Sequence, residues 1–267
     1  MPGRRVAGSA ELIPFDTSTV LGKVLAVLHA FRPDDDELSL AELGRRTGLA
    51  KGTLHRVAAD LVSARLLDRV GGGYRLGGQL FELGMRASVE RGLLEVAIPF
   101  MQDLYERTHE TVHLGIREGT EVVYVGKIGG HRQAKTPSRV GGRMPLHCTA
   151  LGKTLLAYSP KSVLAQTVEA GLARKTPRTI VAPGLLRDEL RKVVRAGVAF
   201  EHEESAVGIA CVAAAVRGPE ETALAAISVT GPVSRFRPEQ HVSSVRAAAD
   251  GVTATLARRR GLASRAD

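Results

Sequence analysis

Residues 39–57 read SLAELGRRTGLAKGTLHRV, and this stretch decides the fold of the chain. The hydroxyl of Ser39 can cap the free amides at the start of a helix while Glu42 reaches back toward the same end, which is the capping-box pattern. Gly48 then interrupts the helical period at a point where a tight turn between two helices needs a positive φ. The pattern therefore predicts a short helix, a turn and a second helix.

The second predicted helix has an apolar side and a polar side. Leu54, Val57 and Leu61 recur at helical spacing, so this stripe is expected to pack on the first helix. The opposite side, near the start of the helix, is the part that would enter a major groove. The residues expected to read bases are Lys51, Thr53 and Arg56.

A glycine-rich hairpin follows, with residues 66–69 and 74–76 as short strands around the turn at residues 70–73. This hairpin predicts a wing beside the two helices. Between Arg45 and Arg75 seven Lys or Arg oppose two Asp, a surplus of five positive charges that suits a phosphate backbone. A helix-turn-helix pattern alone also fits bundles that never bind DNA, but such bundles have no reason to add a basic helix start and a wing. The candidate DNA contacts are Arg45, Arg46, Lys51, Thr53, His55, Arg56, Arg69 and Arg75.

The composition agrees with a polyanionic partner. The chain has 267 residues, 44% of them hydrophobic, a formal charge of +9 and a pI near 10.0, which is enough for one small and one medium domain with real cores. The sequence has no apolar run of 18 residues, so we expect no membrane association. Acidic residues interrupt the basic N-terminus before any signal-peptide core, so we expect a cytoplasmic location. Cys148 and Cys211 are expected to be reduced and unpaired.

The chain divides into segments whose periodicity differs. Residues 1–16 are expected to form a disordered tail, 17–78 a winged helix-turn-helix domain beginning with a helix over 18–31, and 79–108 a linker helix that packs on its own domain or pairs two subunits. The acidic run at residues 34–37 is predicted to be a solvated turn. Residues 109–260 mix strands, near 111–117, 121–128, 198–202, 211–217 and 223–230, with helices near 150–158, 162–170, 185–196 and 238–260. Residues 261–267 form a C-terminal tail, and the fold class is α+β with an antiparallel sheet in the second domain.

Five blocks of sequence carry a resemblance to a known family, and they are residues 40–61, 66–84, 108–114, 140–153 and 208–232. In these blocks the chain resembles the IclR-type transcriptional regulators of bacteria. The resemblance implies an N-terminal winged helix domain, a linker helix and a C-terminal GAF-like domain that binds a small carboxylic or aromatic effector. It also implies a repressor that binds palindromic operators as a homodimer or a dimer of dimers. The effector-binding residues that it implies are Leu146, Thr149, Ala150, Leu151, Glu201, Ile209, Cys211, Ser228 and Thr230.

The residues themselves are compatible with such a pocket. Ser228 and Thr230 lie two apart on a predicted strand and so share a face, where their hydroxyls can donate to a carboxylate or carbonyl, although the same pattern fits a solvent-facing pair. Thr149 precedes a predicted helix whose free amides favour an anion, and a plain N-cap explains it equally well. Two positions depart from the family pattern: Glu201 stands in an Asp-rich position, and Gly52 stands where Ser is common.

Other chemistries leave only partial signatures. Gly152-Lys153-Thr154 resembles the end of a phosphate-binding loop, but His147 occupies the position of the required earlier glycine. No cofactor is expected. One alternative is a small-molecule enzyme in which Cys148 is the nucleophile and His147 or His202 the base. Another is a metal-responsive regulator, although the chain has no local chelating motif. That second alternative would use Cys148, Cys211, His113 and His202.

Overall fold

The structure is a computed structural model that describes residues 15–32, 34–86, 88–129 and 136–263. The chain forms two compact units, which divide between Arg91 and Gly92. The predicted tail at 1–16 lies almost wholly outside the described residues. The predicted C-terminal tail at 261–267 is wrong at its start, because residues 261–263 continue the last helix of the chain, and its remainder lies outside the described residues. The predicted linker at 79–108 contains two helices rather than one, and the division between the units falls inside the second of them.

The N-terminal unit contains three helices, a three-stranded sheet and a fourth short helix. Its elements are α1 (Val20–His29), β1 (Leu38–Ser39), α2 (Leu40–Thr47), α3 (Lys51–Ser63), β2 (Leu67–Val70), β3 (Gly73–Leu76) and α4 (Gly78–Gly84). The first helix is shorter at both ends than the predicted 18–31. The core combines α1, α2, α3 and the wing through Val27, Leu43, Leu54, Leu61 and Leu67.

The caps of α2 explain why this helix is short. The Ser39 hydroxyl accepts the Glu42 amide at 3.2 Å, and Gly48 ends the helix with φ +69°. The second half of the predicted capping box is wrong, because the Glu42 carboxylate accepts hydrogen bonds from Arg45 and Arg46 instead of returning to the helix start. One side-chain cap and one left-handed residue are therefore enough to define this helix.

The wing has three strands rather than the two that the sequence predicted. Residues 38 and 39, which also lead into α2, pair with β3 in the sheet order β1-β3-β2. Val70 pairs with Gly73, so the turn itself is only Gly71-Gly72 and is shorter than predicted. A Cβ on Gly73 would lie 2.7 Å from the carbonyl oxygen of Leu38, so glycine is required for this close pairing.

The C-terminal unit is a six-stranded antiparallel sheet with helices on both faces, and the chain is α+β as predicted. The elements are α5 (Ser88–Thr108), β4 (Thr111–Glu118), β5 (Glu121–Ile128), β6 (Arg143–Pro145), α6 (Ala150–Ala157), α7 (Lys161–Glu169), α8 (Pro183–Ala196), β7 (Ala199–His202), β8 (Ile209–Arg217), β9 (Ala223–Pro232) and α9 (Val242–Ala263). The strand order is β6-β5-β4-β9-β8-β7, in which β6 was not predicted. The predicted helix over 238–260 is a 3-10 turn followed by α9.

The two faces of this sheet pack against different helices. Val112, Val212 and Ile227 belong to a core shared with α5 and α9. Cys211 and Ala213, which alternate with Val212 along β8, belong to a second core shared with α6 and α8. Because successive side chains of a strand point to opposite faces, the second core defines the face on which the predicted effector residues lie. Among the described residues no helix is both long enough and apolar enough to cross a membrane.

Candidate DNA-binding surface and effector site

The start of α3 presents a basic surface to solvent. Lys51, His55 and Arg56 are exposed and Thr53 is half-buried. No side chain caps the first amides of α3, since its N-cap residue is Ala50, and free amides at a helix start can receive a phosphate oxygen. A Cβ on Gly52 would meet no atom within 4 Å, so this glycine answers no packing requirement. The surface therefore has the cations and the helix end that a polyanion needs.

Arg45 and Arg46 lie in very different surroundings although they are adjacent. Arg45 is 70% exposed and pairs with Glu42 through two hydrogen bonds of 2.6 and 2.8 Å. Arg46 is only 14% exposed, because its guanidinium pairs with Asp35 and Glu42 and donates to the Ala30 carbonyl at 2.9 Å. Hydrogen bonding to Arg46 lowers the pKa of the Asp35 carboxyl. Arg46 thus joins α2 to the end of α1, and the structure does not bring it to the solvent as a free DNA contact.

The acidic run at residues 34–37 is partly structural for the same reason. Asp35 is half-buried, and it also accepts the Arg32 amide at 2.6 Å. The prediction of a merely solvated turn is therefore wrong at Asp35, whereas Asp34 and Asp36 are exposed as expected.

The two arginines of the wing lie on opposite faces of the hairpin. Arg69 pairs across the strands with Tyr74, and its guanidinium lies 5.9 Å from the centre of the Tyr74 ring. Arg75 pairs with Asp68 and donates to its carboxylate at 3.1 Å. Since paired residues share a face and neighbours alternate, the two cations face different sides. Both are exposed.

The predicted effector residues on the sheet come together on one buried face. On β8 and β9 Cys211 pairs with Thr230, and on β7 Glu201 pairs with Cys211. Directly paired residues point to the same side of a sheet, so these three side chains lie in one row, with Ser228 and Ile209 two residues away along their strands. Leu146, Ala150 and Leu151 cover this face as part of the second core. The predicted site is therefore a contiguous set in the structure.

The hydroxyls of this face are buried, which excludes the solvent-facing alternative. Thr230 is 4% exposed and its hydroxyl donates to the Cys211 sulfur at 3.0 Å. Ser228 is fully buried; its Oγ has no nitrogen or oxygen partner within the described ranges, although the hydroxyl lies close enough to the Cys211 thiol to lower the pKa of that group. A buried hydroxyl without a partner costs free energy unless a ligand or a water supplies one. Ser228 is thus a polar group that is poised for a partner from outside the protein.

Glu201 connects the sheet to the start of α6. Its Oε2 accepts the Ala150 amide at 3.3 Å, and its Oε1 accepts the amide and the hydroxyl of Ser205. Burial raises the pKa of this carboxyl to about 7, so an appreciable fraction of it is protonated at neutral pH. Thr149 is the N-cap of α6, where its hydroxyl accepts the Gly152 amide at 3.0 Å. The plain N-cap explanation of Thr149 therefore holds.

Sequence reasoning missed three residues around this face. His113 pairs with Ser228 across β4 and β9, and its Nε2 lies 2.7 Å from the Ser138 hydroxyl oxygen. Burial lowers the pKa of His113 to about 3, so the ring is neutral. Its ring also packs edge to face on Tyr124 at 5.2 Å. The period-two position of His113 on a strand was the available signal, but a buried histidine cannot be separated from an exposed one without knowing the register.

The structure gives no support to a thiol nucleophile or a metal centre. Burial raises the pKa values of Cys148 and Cys211 to about 12, so both remain neutral thiols. The Nε2 of His147 donates to the Ala173 carbonyl at 3.1 Å and is engaged away from Cys148. His202 is exposed and lies 3.6 Å from the carboxylate of Glu239. Over the described ranges no group of three His, Cys, Asp or Glu is arranged to hold a metal ion.

One unit of the chain is a winged helix with a basic helix start, and the other has a buried face that carries polar groups. Together they define the class of DNA-binding regulators with an effector domain. Comparison with known families agrees with this class. Residues 20–71 match the IclR helix-turn-helix domain, and residues 85–254 match the C-terminal domain of the bacterial transcriptional regulator IclR. The chain belongs to the IclR family of bacterial transcriptional regulators.

Individual relatives cover nearly the whole chain. The HTH-type transcriptional regulator XynR of Escherichia coli is 33% identical over 80% of this chain and 86% of its own length. The regulator KdgR of the same organism is 32% identical over 91% of this chain and 94% of its own. Among solved structures, an IclR homologue of Microbacterium hydrocarbonoxydans in complex with 4-hydroxybenzoate has a TM-score of 0.85, with 31% identity over 90% of this chain and all of that one. The chain is therefore a DNA-binding transcriptional regulator with a C-terminal effector domain.

Proposed function

We propose that this protein is a repressor that binds a palindromic operator as a homodimer or a dimer of dimers, and that a small aromatic or aliphatic carboxylate modulates this binding. The observation that carries the effector class is the buried Ser228 hydroxyl, which has no nitrogen or oxygen partner among the described residues, beside Glu201, whose pKa of about 7 leaves a large fraction of it protonated at neutral pH. Hydroxyl and acid protons are donors that match carboxylate oxygens. The apolar side chains of Leu146 and Leu151 suit a ring or an alkyl body.

The sequence positions proposed as effector contacts are those that the resemblance implied. They are Leu146, Thr149, Ala150, Leu151, Glu201, Ile209, Cys211, Ser228 and Thr230, to which the structure adds His113 as a neighbour of Ser228. At this face the described residues offer the Ser228 hydroxyl, the protonated fraction of Glu201 and buried apolar groups. An anionic effector is expected to bind there without a direct salt bridge, through hydrogen bonds alone.

The dimer is supported by apolar side chains that remain exposed on the N-terminal unit. On α1, Val20 is 75% and Leu21 67% exposed, and on α4 Phe81 is 72% and Leu83 47% exposed. Large apolar groups concentrated on two helices of so small a unit favour burial by a second subunit. Two identical reading heads related by a two-fold axis would then read a site with two-fold symmetry. Lys51, Thr53 and Arg56 are proposed as the base-reading residues, with Arg69 and Arg75 on phosphates.

The effector experiment uses the full chain and DNA fragments from the regions upstream of its own gene and of the neighbouring genes. Fluorescence anisotropy measures operator affinity while 4-hydroxybenzoate, as the first probe, and a series of aliphatic carboxylates are titrated. A carboxylate that changes operator affinity at least tenfold supports the proposal. A protein that binds an operator but responds only to neutral or cationic metabolites would contradict the effector class. A symmetric footprint and a dimer mass in solution are expected, and an asymmetric footprint under a monomer would contradict the assembly.

Repression has its own readout. A promoter reporter in a host that lacks this regulator is expected to lose transcription when the protein is supplied and to regain it when the effector is added. If transcription rises when the protein is supplied, the protein is an activator and the proposed repression is wrong. The proposed operator and effector class would not be affected.

A further inference from the structure

A fully buried lysine lies behind the proposed effector site. Lys153, on α6, has no solvent exposure, and its amine lies 2.5 Å from a carboxylate oxygen of Glu204 and 3.5 Å from one of Glu189 on α8. A buried ammonium group persists only where the protein provides paired negative charge. The second oxygen of Glu204 is buried without a hydrogen-bond partner among the described residues. The ion pair is therefore retained in spite of an imperfect hydrogen-bonding environment.

Glu204 belongs to the turn that follows β7, and Ser205 in the same turn donates its amide and its hydroxyl to the Glu201 carboxylate. This turn is fastened to the segment before α8, because the Thr176 hydroxyl donates to the Glu203 carbonyl at 2.6 Å and the Thr179 hydroxyl donates to the Glu204 carbonyl at 2.7 Å. Glu203 adopts φ +57°, a conformation that a side-chain-bearing residue rarely takes without outside support. The Lys153 ion pair holds the same turn from the side of α6. The position of Glu201 against the Ala150 amide thus depends on contacts that lie outside the site.

The charges around Glu201 come from few groups. Cys148, Cys211 and Tyr124 face it, and burial raises the pKa of each, so all three are neutral near pH 7. Burial raises the pKa of Glu201 most, and the two hydrogen bonds from Ser205 lower it. After these, the carboxylate of Glu204 raises this pKa and the ammonium of Lys153 lowers it. In the native protein these two effects oppose each other. The protonation of Glu201 is consequently governed by burial as long as the Lys153–Glu204 ion pair is intact.

We propose that Lys153 is a positioning residue for the effector site: its buried ion pair with Glu204 holds the turn whose Ser205 donates to Glu201, and its positive charge controls which effector charge the site accepts. The proposal deepens the proposed function and rests on it for the effector, but its effect on Glu201 is measurable without any ligand. With the Lys153–Glu204 ion pair intact, burial keeps a large fraction of Glu201 protonated up to neutral pH, and the protonated acid can donate to an anion. Removal of either charge shifts the pH range over which Glu201 is protonated. The charge that remains sets the direction: the Glu204 carboxylate alone raises the pKa of Glu201, and the Lys153 ammonium alone lowers it.

The ligand-free test follows the carboxylic acid band of Glu201 by infrared spectroscopy of the full chain across a pH series, with Glu201→Gln used to assign the band. Lys153→Met is expected to move the titration midpoint up, and Glu204→Gln to move it down, each by about one pH unit. The double variant Lys153→Met/Glu204→Gln is expected to return close to the native midpoint. Lys192→Met is the matched control, because Lys192 pairs with the other side of Glu189 at 3.2 Å and is 69% exposed. It should leave the midpoint unchanged.

A purely structural role for Lys153 does not predict opposite shifts that cancel. Shifts of the same sign, or midpoints that stay fixed in all variants, would overturn the proposal. If Lys153→Met fails to fold, as judged by circular dichroism and operator binding, the downward shift in Glu204→Gln and its reversal in the charge-balanced double variant still decide the question.

The ligand test compares 4-hydroxybenzoate with the neutral 4-hydroxybenzamide by calorimetry. At pH 6, Lys153→Met is expected to bind the anion at least tenfold more weakly while its affinity for the amide changes less than threefold. Equal losses for both ligands would contradict the charge role. If the native chain binds neither probe, the proposed effector class fails, whereas the infrared midpoints still stand or fall on their own.

Discussion

Arg56 and Arg46 provide a paired test of how the N-terminal unit divides its arginines between DNA and the fold. Arg56 is exposed on α3 and forms no ion pair within the part of the chain that the structure describes. Truncation of Arg56 to Ala removes one base or phosphate contact, which is worth about 1 to 3 kcal/mol. This corresponds to a loss of roughly 5- to 150-fold in operator affinity. The melting temperature should stay near that of the native protein, since no intramolecular contact is lost.

The same substitution at Arg46 should act in the opposite way. Arg46→Ala leaves Asp35 and Glu42 without their shared partner and releases the Ala30 carbonyl, so the N-terminal unit should unfold at a lower temperature. Where the variant is folded, its operator affinity should be close to native.

Fluorescence anisotropy on the operator at several salt concentrations, together with thermal melts, measures both effects. If Arg56 contacts a phosphate, the slope of log affinity against log salt should fall by about 0.9 in Arg56→Ala, whereas a base contact would leave the slope unchanged. Normal stability in Arg46→Ala combined with a large loss of operator affinity would refute the division, because it would show that Arg46 reaches DNA.

Three further substitutions test the effector unit. Ser228→Ala removes a buried hydroxyl that has no nitrogen or oxygen partner in the described ranges. The free energy of unfolding should stay the same or rise by up to about 1 kcal/mol in thermal melts, while the affinity for carboxylates falls in calorimetry. A marked loss of stability would reveal an unrecognised internal partner. Gly152→Ala would put a Cβ 2.3 Å from the Leu146 carbonyl oxygen and should lower the free energy of unfolding in urea by about 2 to 3 kcal/mol. Gly184→Ala is the control, because its Cβ would meet no atom within 4 Å, and it should be neutral or stabilising. Equal effects of the two substitutions would contradict this reasoning. Glu201 binds its proton more tightly in the native than in the unfolded chain, because burial raises its pKa to about 7, so its contribution to stability declines as pH rises from about 4.5 to 7. Glu201→Gln should therefore gain stability relative to the native protein over that pH range, and a constant difference would show that the carboxyl titrates normally.

The elements with a strong period could be predicted from the sequence, and the shortest could not. The apolar stripe of α3 and the cap at Ser39 fixed the helix-turn-helix, and Gly71 and Gly72 indicated the hairpin. The two-residue β1 and the three-residue β6 are too short to show alternation, and they exist because neighbouring strands supply partners. Their assignment needed the register of the sheet.

The candidate site divides along a similar line. The polar face of α3 was predictable, since exposure there follows from helical geometry alone. The internal role of Arg46 was not, because its partner Asp35 lies eleven residues away across a turn that sequence patterns describe only as charged. Likewise, the contact between Glu201 and the Ala150 amide joins residues separated by 51 positions. The resemblance identified these positions, but only the structure shows what holds them.

The two regions proposed to bind anions would do so by different physics. On α3 the cations are solvated, so a polyanion binds there by displacing counterions, and a formal charge of +9 assists over long range. At the proposed effector face Lys153 is fully buried and paired with Glu204, which leaves the Ser228 hydroxyl and the protonated fraction of Glu201 as neutral donors. If a carboxylate binds there, protonation of Glu201 would remove a competing negative charge. Selectivity for a small carboxylate over phosphate-rich DNA would then arise from burial and proton occupancy rather than from net charge.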